Sequence, residues 1–290
     1  MKIILSRKGI DGGNCKASNL VVYDEFDKSE MIMIPIPNLG DKTAYEDIKL
    51  SKHFDTYVKN YLNKHGIKPS SHCHLDPNIS NYYNNFNFLG SFGQVGSSQK
   101  HLENQKIEVG DLFIFFGKFE FHKISKLNID VVMKNKHVMF GYLQINEIIY
   151  PNKMTTQERD VYEKKYPWLS AQPHWNIANY KKRENNCIYI AREKCSFDDS
   201  VKGYGVFEFN KDLILTKKNG TASQWKLPRP LRNLKISYHD RSNHKLTYFQ
   251  SAKRGQEFVV EENKKAQKWV MNLIKNHAIK GGNYNEMSKM

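Results

Sequence analysis

The stretch "HCHLDP", residues 72–77, sets two imidazoles, a thiol and a carboxylate within five positions and then stops at a proline. Three chemistries compete for it. Zinc held for structure draws on two close pairs of Cys or His ligands. His72 and His74 supply one pair, but Cys187 and Cys195, with seven residues between them, are a poor second, and no CxxC or HxxxH occurs. No metal is expected on that ground; a mononuclear site completed by the distant His101, His122 or His174 is the variant left open. An acid–base centre asks less. Proline keeps the residue before it out of the helical region, so Asp76 is expected in extended backbone beside His74. A carboxylate held that way serves as general base or as a stabiliser of positive charge. The third possibility is an Asx-type turn, in which Asp76 bonds only nearby backbone.

Three further clusters set polar groups on glycine-rich backbone. In "LGSFGQVGSSQKHLEN", residues 89–104, Gly90, Gly93 and Gly96 recur every third position before a helix bearing Gln99, His101 and Glu103. Glycines at a helix start let backbone N–H groups approach an anion, and the helix dipole adds to the attraction. The stretch lacks the GK[ST] ending of a phosphate-binding loop and follows no clear βαβ strand, so neither nucleotide fingerprint applies. The choice lies between a tight turn into a helix and a clamp on a phosphate or substrate edge, with Gln94 and Gln99 as amide readers. "SRKGIDGG", residues 6–13, alternates Arg7, Lys8 and Asp11 with glycines, as where backbone passes close to a ligand. Lys8 could bind phosphate or, if desolvated, act as an amine nucleophile. "KRGQEFVV", residues 253–260, sets Arg254, Gln256 and Glu257 at the start of a strand. A solvated charged turn accounts for either of these last two stretches as well.

The elements that must position these groups follow from periodicity. "KIILS", "NLVVY" and "EMIMIPIP" read as N-terminal strands. Phe54, Tyr57, Val58, Tyr61 and Leu62 share one helical face, with Ser51 as N-cap and Gly66 as the stop. "VGDLFIFFGKFEF" and "HVMFGYLQINEII" are aromatic and β-branched runs around a polar connection, which predicts an antiparallel pair. A short helix is expected near 157–165, then strands at "CIYIAR", "GVFEF" and "LILT". "LRNLKISYH" and "LTYFQSA" read as a second pair, ahead of a strand in "RGQEFVV". Ala266, Trp269, Val270, Leu273 and Ile274 stripe a last helix that ends at Gly281 and Gly282. With no repeat, heptad or linker, the expectation is one α+β domain over 1–282 with a strand-rich centre, and a frayed tail at 283–290.

Composition bounds the function. At 290 residues, 39% apolar and 12% aromatic, the chain can bury a large core. Its mean hydropathy of −0.68 and the lack of any apolar run near 18 residues argue against a membrane span. The N-terminus carries too short an apolar run for a signal peptide, and four cysteines are too sparse for a disulfide scaffold, so a cytoplasmic protein is expected. The net charge is +15, and +11 of it falls in residues 211–290, with 17 Lys and Arg against 6 Asp and Glu. Such asymmetry points to a polyanion, because cations that neutralise phosphates release condensed counterions. Abundant Lys and Asn are also what an AT-rich gene encodes.

In order along the chain, "ILSRKGID", "PIP" at 35–37, "CHLDP", "GQVGSSQKHLEN" with "GDLFIFFG", "HVMFGYLQINEI", "SQWKLPRP" and "RGQEFV" resemble the third nucleotide-modification-associated domain family. The resemblance runs from Lys2 to about Asn276. That family is linked to bacteriophage and bacterial systems that make, alter or counter hypermodified DNA bases. Its polar signature would fall on Arg7, Lys8, Asp11, His74, Asp76, Gln94, Gln99, His101, Arg254, Gln256 and Glu257. "GGNCK" at 12–16 departs from the small-residue and proline stretch expected there. The central strands are also similar to those of PUA-like barrels of the ASCH and EVE group, which often hold RNA or an extruded base.

The resemblance implies a DNA-binding enzyme acting on modified bases, foremost a glycosylase that flips the base out. Asp76 is the first candidate carboxylate, with Asp11 or Glu257 second; His74 or His101 would protonate the departing base, and Lys8 would permit a Schiff-base step. Arg7, Gln94, Gln99, His101, Arg254 and Gln256 would hold substrate, and Tyr82, Tyr83, Phe86, Trp175 and Trp225 would offer stacking faces. No cofactor is expected, and the partner would be DNA with modified bases. The alternatives are a reader that does no chemistry and a transferase acting on free nucleotides.

Overall fold

The computed structural model describes residues 1–10, 16–26, 28–80, 88–125, 128–180, 183–252 and 255–279. The first half contains β1 (Ile3–Arg7), β2 (Asn19–Asp24), β3 (Ser29–Ile32), β4 (Ile36–Pro37), α1 (Asp55–Lys64), β5 (Cys73–His74), β6 (Ser91–Gln94), α2 (Gly96–Asn104), β7 (Leu112–Ile124) and β8 (Ile129–Ile149). After them come α3 (Thr156–Lys165), β9 (Cys187–Ala191), β10 (Lys194–Cys195), β11 (Asp198–Lys202) and β12 (Tyr204–Val206). The chain closes with β13 (Gln224–Trp225), β14 (Phe249–Gln250), β15 (Glu257–Val260) and α4 (Lys264–His277).

Strands β15-β1-β7-β8-β9-β6 form one mixed sheet, widened by β2 and β3 beside β7 and by β12 beside β8. The fold is α+β, and this sheet curls into a half-barrel. Its spine is the antiparallel pair β7/β8, whose register slips at Phe115/Phe116, Phe119/Phe121 and Phe121/His122. Each slip adds a residue to one strand and bends it, which is how so long a hairpin curls rather than lying flat.

The first two strands lie end to end along one edge of β7. Ile3–Arg7 pairs in parallel with Leu112–Phe116, and Asn19–Asp24 with Phe119–Ile124. Between them the chain crosses Gly117, where an added Cβ would stand 2.7 Å from the Lys8 carbonyl oxygen. The Lys8 N–H donates to Phe116 O at 2.8 Å. Asn19 locks the crossing: its Nδ2 donates to Ile10 O and Lys118 O, and its Oδ1 accepts from the Ile34 N–H. Lys8 thus leaves the sheet at a defined place.

Period-two alternation sorts side chains between two cores. Val21 joins the main aromatic core, whereas Leu20 and Val22 face a second cluster with Val58, Tyr61 and Leu62 of α1. Cys73 and Leu75 enter that second cluster as well, which turns His74 and Asp76 the other way.

Several expectations are revised. "LILT" forms no strand: a 3-10 turn covers Lys211–Leu213, and Ile214 and Thr216 make only isolated bridges. "LRNLKISYH" and "LTYFQSA" do not pair with each other. Ile236 bridges Val260, and Phe249–Gln250 pairs with Gln224–Trp225. The last helix ends at His277 with Ala278 as its cap, and Gly281 and Gly282 lie outside the described residues. No described helix is long and apolar enough to cross a membrane.

Candidate active site

The edge strand β6 organises the site, because the segment after β5 continues its ladder. Asn78 and Ser91 exchange both backbone hydrogen bonds at 2.9 Å. One rung further on, the Asp76 side chain replaces backbone as the partner. Its Oδ1 accepts from the Gly93 N–H at 2.7 Å and from Gln172 Nε2 at 3.1 Å. Among the described residues no donor reaches Oδ2. The Asp76–Pro77 peptide bond is cis. Asp76 is therefore tied to a neighbouring strand rather than to its own turn.

His74 stands two residues before Asp76 on the same side of the chain. Its Nδ1–H donates to Asp41 Oδ2 at 2.7 Å, and Asp41 Oδ2 also accepts from Asn38 Nδ2 at 2.7 Å. Across from it lies His174, buried, whose ring centroid is 5.5 Å from that of His74. Asn186 fixes the His174 tautomer. Asn186 Nδ2 donates to Asn152 Oδ1 and His174 O, so its Oδ1 can only accept, and it takes the His174 Nδ1–H at 2.7 Å. Tyr180 stacks on the His174 ring at 4.6 Å. Gly93 makes room beneath, since a Cβ there would fall 2.1–2.9 Å from atoms of the His174 side chain. One donor atom from each of His74, Asp76 and His174 lies within 4.8 Å of the other two.

The charges settle accordingly. Burial pushes Asp76 up to about 6, against the opposing pull of His74, the Gly93 N–H, Lys8 and Gln172. Burial works to lower His74, but the hydrogen bond it donates to Asp41 and the charges of Asp76 and Asp41 outweigh it, and the imidazole is raised. Burial, with the charge of His74, drives His174 down to about 3, so that ring is neutral.

Alongside lies a second polar group. Lys8 Nζ sits 2.7 Å from Glu257 Oε1 and 4.4 Å above the Phe92 ring. Gln94 Nε2 donates to the same Oε1 at 2.6 Å, and its Oε1 accepts from the Val95 N–H. Glu257 Oε2 is buried and has no hydrogen-bond partner among the described residues. Gln256, exposed, accepts at 3.3 Å from Gln94. A cavity of about 20 Å³ lies against Asp76 and Pro77, walled by Met33, Pro35, Leu75 and Ile79, with room for about one water.

Five residues of the sequence reading therefore come together: Lys8, His74, Asp76, Gln94 and Glu257, with Gln256 at the rim. The backbone of Arg7 joins them through its N–H to Gln256 O at 2.8 Å. Others go elsewhere. Gln99 is buried and accepts from Tyr189 Oη, so it is no amide reader. His101 bonds Ser237 Oγ and packs, tilted, against the Tyr238 ring. Trp225 is fully buried among Phe116, Phe249 and Phe258, and Trp175 is buried against Arg159; neither offers a stacking face. Gly90 and Gly93 serve close packing on Tyr204 and His174, and the Gly96 N–H donates to Asn185, so the glycine series is no phosphate cradle. Asp11, Cys15, Tyr82, Tyr83, Phe86 and Arg254 lie outside the described residues.

Asp41, Gln172 and Asn186 escaped the sequence reading, and His174 entered it only as a remote zinc ligand. The stretch "AQPHWN" offers no periodicity, and only its density of polar groups between apolar ones marks it.

No curated protein and no solved structure matches the chain. Residues 2–261 match the family described as nucleotide modification associated domain 3, a description that associates it with nucleotide modification. With nearly the whole described chain covered by that match, this protein belongs to the nucleotide modification associated domain 3 family.

Proposed function

We propose that the protein acts on a modified base in DNA by hydrolysing its N-glycosidic bond, with Asp76 as the reacting carboxylate. The observation that carries this reading is the convergence of Asp76, His74, Lys8, Gln94 and Glu257, from separate chain segments, on one partly open centre. Departure of the base leaves positive charge on the sugar, and a nearby carboxylate stabilises that charge and orients water. His74, aligned by Asp41, stands where it can exchange a proton with the departing base. Glu257 Oε2, a buried acceptor in want of a donor, suits an N–H on the base edge. The target atoms are out of reach inside a duplex, so the base is extruded first.

The C-terminal third carries exposed cations suited to phosphates. Lys226, Arg229, Arg232, Lys235, Arg241 and Lys245 are all exposed. One of them, Lys235, sits in a stretch that pairs with the end of β15, with the Ser237 N–H donating to Val259 O at 2.9 Å.

The test is mass spectrometry of small molecules released from unmodified, hydroxymethylated and glucosylated DNA. A free modified base with matching abasic sites is expected, and Asp76→Asn should cut release by about 10²- to 10⁴-fold while DNA is still retained. Retention of modified DNA without release would replace the enzyme by a reader; no preference among the DNAs would move the substrate to free nucleotides.

A further inference from the structure

We infer that His74, Asp76 and His174 form a binding site for one divalent transition-metal ion, supported from outside by Asp41 and Asn186. Two nitrogens and one carboxylate oxygen within 4.8 Å of one another are a suitable donor set. The stronger argument is how the rings are held. Metal-bound imidazoles commonly donate their second N–H to a carboxylate or carbonyl oxygen, which fixes tautomer and aim. His74 does so to Asp41 and His174 to Asn186, in both cases through Nδ1 and at 2.7 Å, leaving Nε2 of each as the donor atom. The carboxylate is prepared likewise. Gly93 and Gln172 hold Asp76 Oδ1, and Oδ2 remains for the ion.

The formal charges agree. With both rings neutral, the carboxylates of Asp41, Asp76 and Glu257 and the ammonium of Lys8 leave two net negative charges, which a dication matches. Donor type selects the metal. Imidazole with one carboxylate favours zinc, iron, cobalt or manganese over the all-oxygen shells that calcium and magnesium take. Cys73 turns into the second apolar cluster and contributes no thiolate. Ligands about 2.1 Å from an ion stand roughly 3–3.5 Å apart, so the cluster closes by about an ångström on loading. Three protein ligands leave at least one coordination position, the arrangement of a catalytic rather than a structural site. With an ion bound, His74 Nε2 would be a ligand, so the proton given to the base would come from water held on the ion rather than from His74. The inference rests on the reaction proposed above only in placing that water there.

The experiment needs no DNA. Untagged full-length protein, stripped with a chelator and dialysed, is titrated with Co²⁺ and with Zn²⁺, following visible absorption and heat. One equivalent of each should bind, with cobalt bands of a nitrogen- and oxygen-ligated centre. His174→Ala should weaken binding by at least about 10²-fold, and Asp41→Asn, which preserves volume and a hydrogen-bonding side chain, by about 10- to 100-fold. His122→Ala serves as the distant control and should bind like wild type. Absence of stoichiometric binding by wild type, or binding unchanged in both His174→Ala and Asp41→Asn, would overturn the site. Failure of the glycosidic reading would register separately, as no base released, and leave the titration as it stands.

Discussion

Histidine and a carboxylate two residues apart occur in β7 and again across the end of β5, and their fates differ. In β7, Glu120 and His122 form such a pair: His122 Nε2 lies 3.2 Å from Glu120 Oε2, and its Nδ1 contacts Tyr57 Oη. Both ring nitrogens are occupied by the fold. His74, the last residue of β5, and Asp76, just beyond it, share the same spacing, yet among the described residues only Nδ1 of His74 is engaged, by Asp41. What separates the saturated histidine of β7 from the one assigned a role in the proposed reaction is thus not burial or a nearby carboxylate. It is whether one nitrogen is left over, facing another donor.

The largest effect should come from breaking each pair in turn. Asp76→Asn keeps the hydrogen bonds of Oδ1 but removes the charge, and base release should fall by about 10²- to 10⁴-fold. Glu120→Gln, the matched change, should leave release within about 2-fold. Equal losses in the two variants would mean that the spacing, not the free nitrogen, matters.

Next in size is Gly93→Ala. Its methyl would stand 2.1 Å from the nearest His174 ring atom, and the ring can yield only by losing its bond to Asn186 or its stacking on Tyr180. Overpacking of this kind costs about 1–3 kcal/mol, and a displacement near 1 Å at a reacting centre costs about 10²-fold in rate. Thermal melting and base release, measured together, separate the two. A variant that releases base at the wild-type rate would remove His174 from the site.

Local pattern carried much of this protein and failed at identifiable points. The β7/β8 pair was legible because aromatic and β-branched runs need no distant partner to declare themselves. So was α1, through the spacing of Phe54, Val58, Tyr61 and Leu62. His74 and Asp76 were legible as a pair because strand alternation is local. Their partners were not, since Asp41 and His174 arrive from a turn and a 3-10 segment that share no period with β5. Trp225 misled for a different reason. Its basic neighbours are exposed as expected, but a two-residue strand pair turns the indole itself inward. Gly90, Gly93 and Gly96 misled because regular spacing suggests one purpose, whereas each answers a different neighbour.

Smaller again is Tyr57→Phe. It removes the hydroxyl at His122 Nδ1 and leaves a buried ring nitrogen without its partner, for a loss of about 1–3 kcal/mol. Base release per folded molecule should not change. A shift in the denaturant midpoint with full activity would place the β7 pair on the side of stability. Lost activity at an unchanged midpoint would undo the distinction between the two pairs.

The smallest effect is the pH dependence of that same region. Burial lowers His122 below its ordinary value, with Glu120 opposing and Lys134 and His65 adding to the depression, while Tyr57 and Tyr61 pack against the ring. His239 is lowered by burial too: its Nδ1–H is given to Ser237 O, and its Nε2 accepts from the Ala252 N–H. A depressed histidine means that the unfolded chain binds more protons than the folded one, so stability rises with pH. The contribution is complete above the unfolded value, near about 6.5, and declines as the pH falls below it toward the folded one. These two groups should therefore lower urea midpoints between about pH 7.5 and about pH 5.5, with His174 acting the same way and the raised Asp76 and His74 opposing them. His122→Asn should flatten part of that slope and His239→Asn another part. A slope indifferent to both substitutions would assign the acid sensitivity to groups outside these two environments, and the saturated histidine of β7 would then be pinned more by packing against Tyr57 and Tyr61 than by its neutral state.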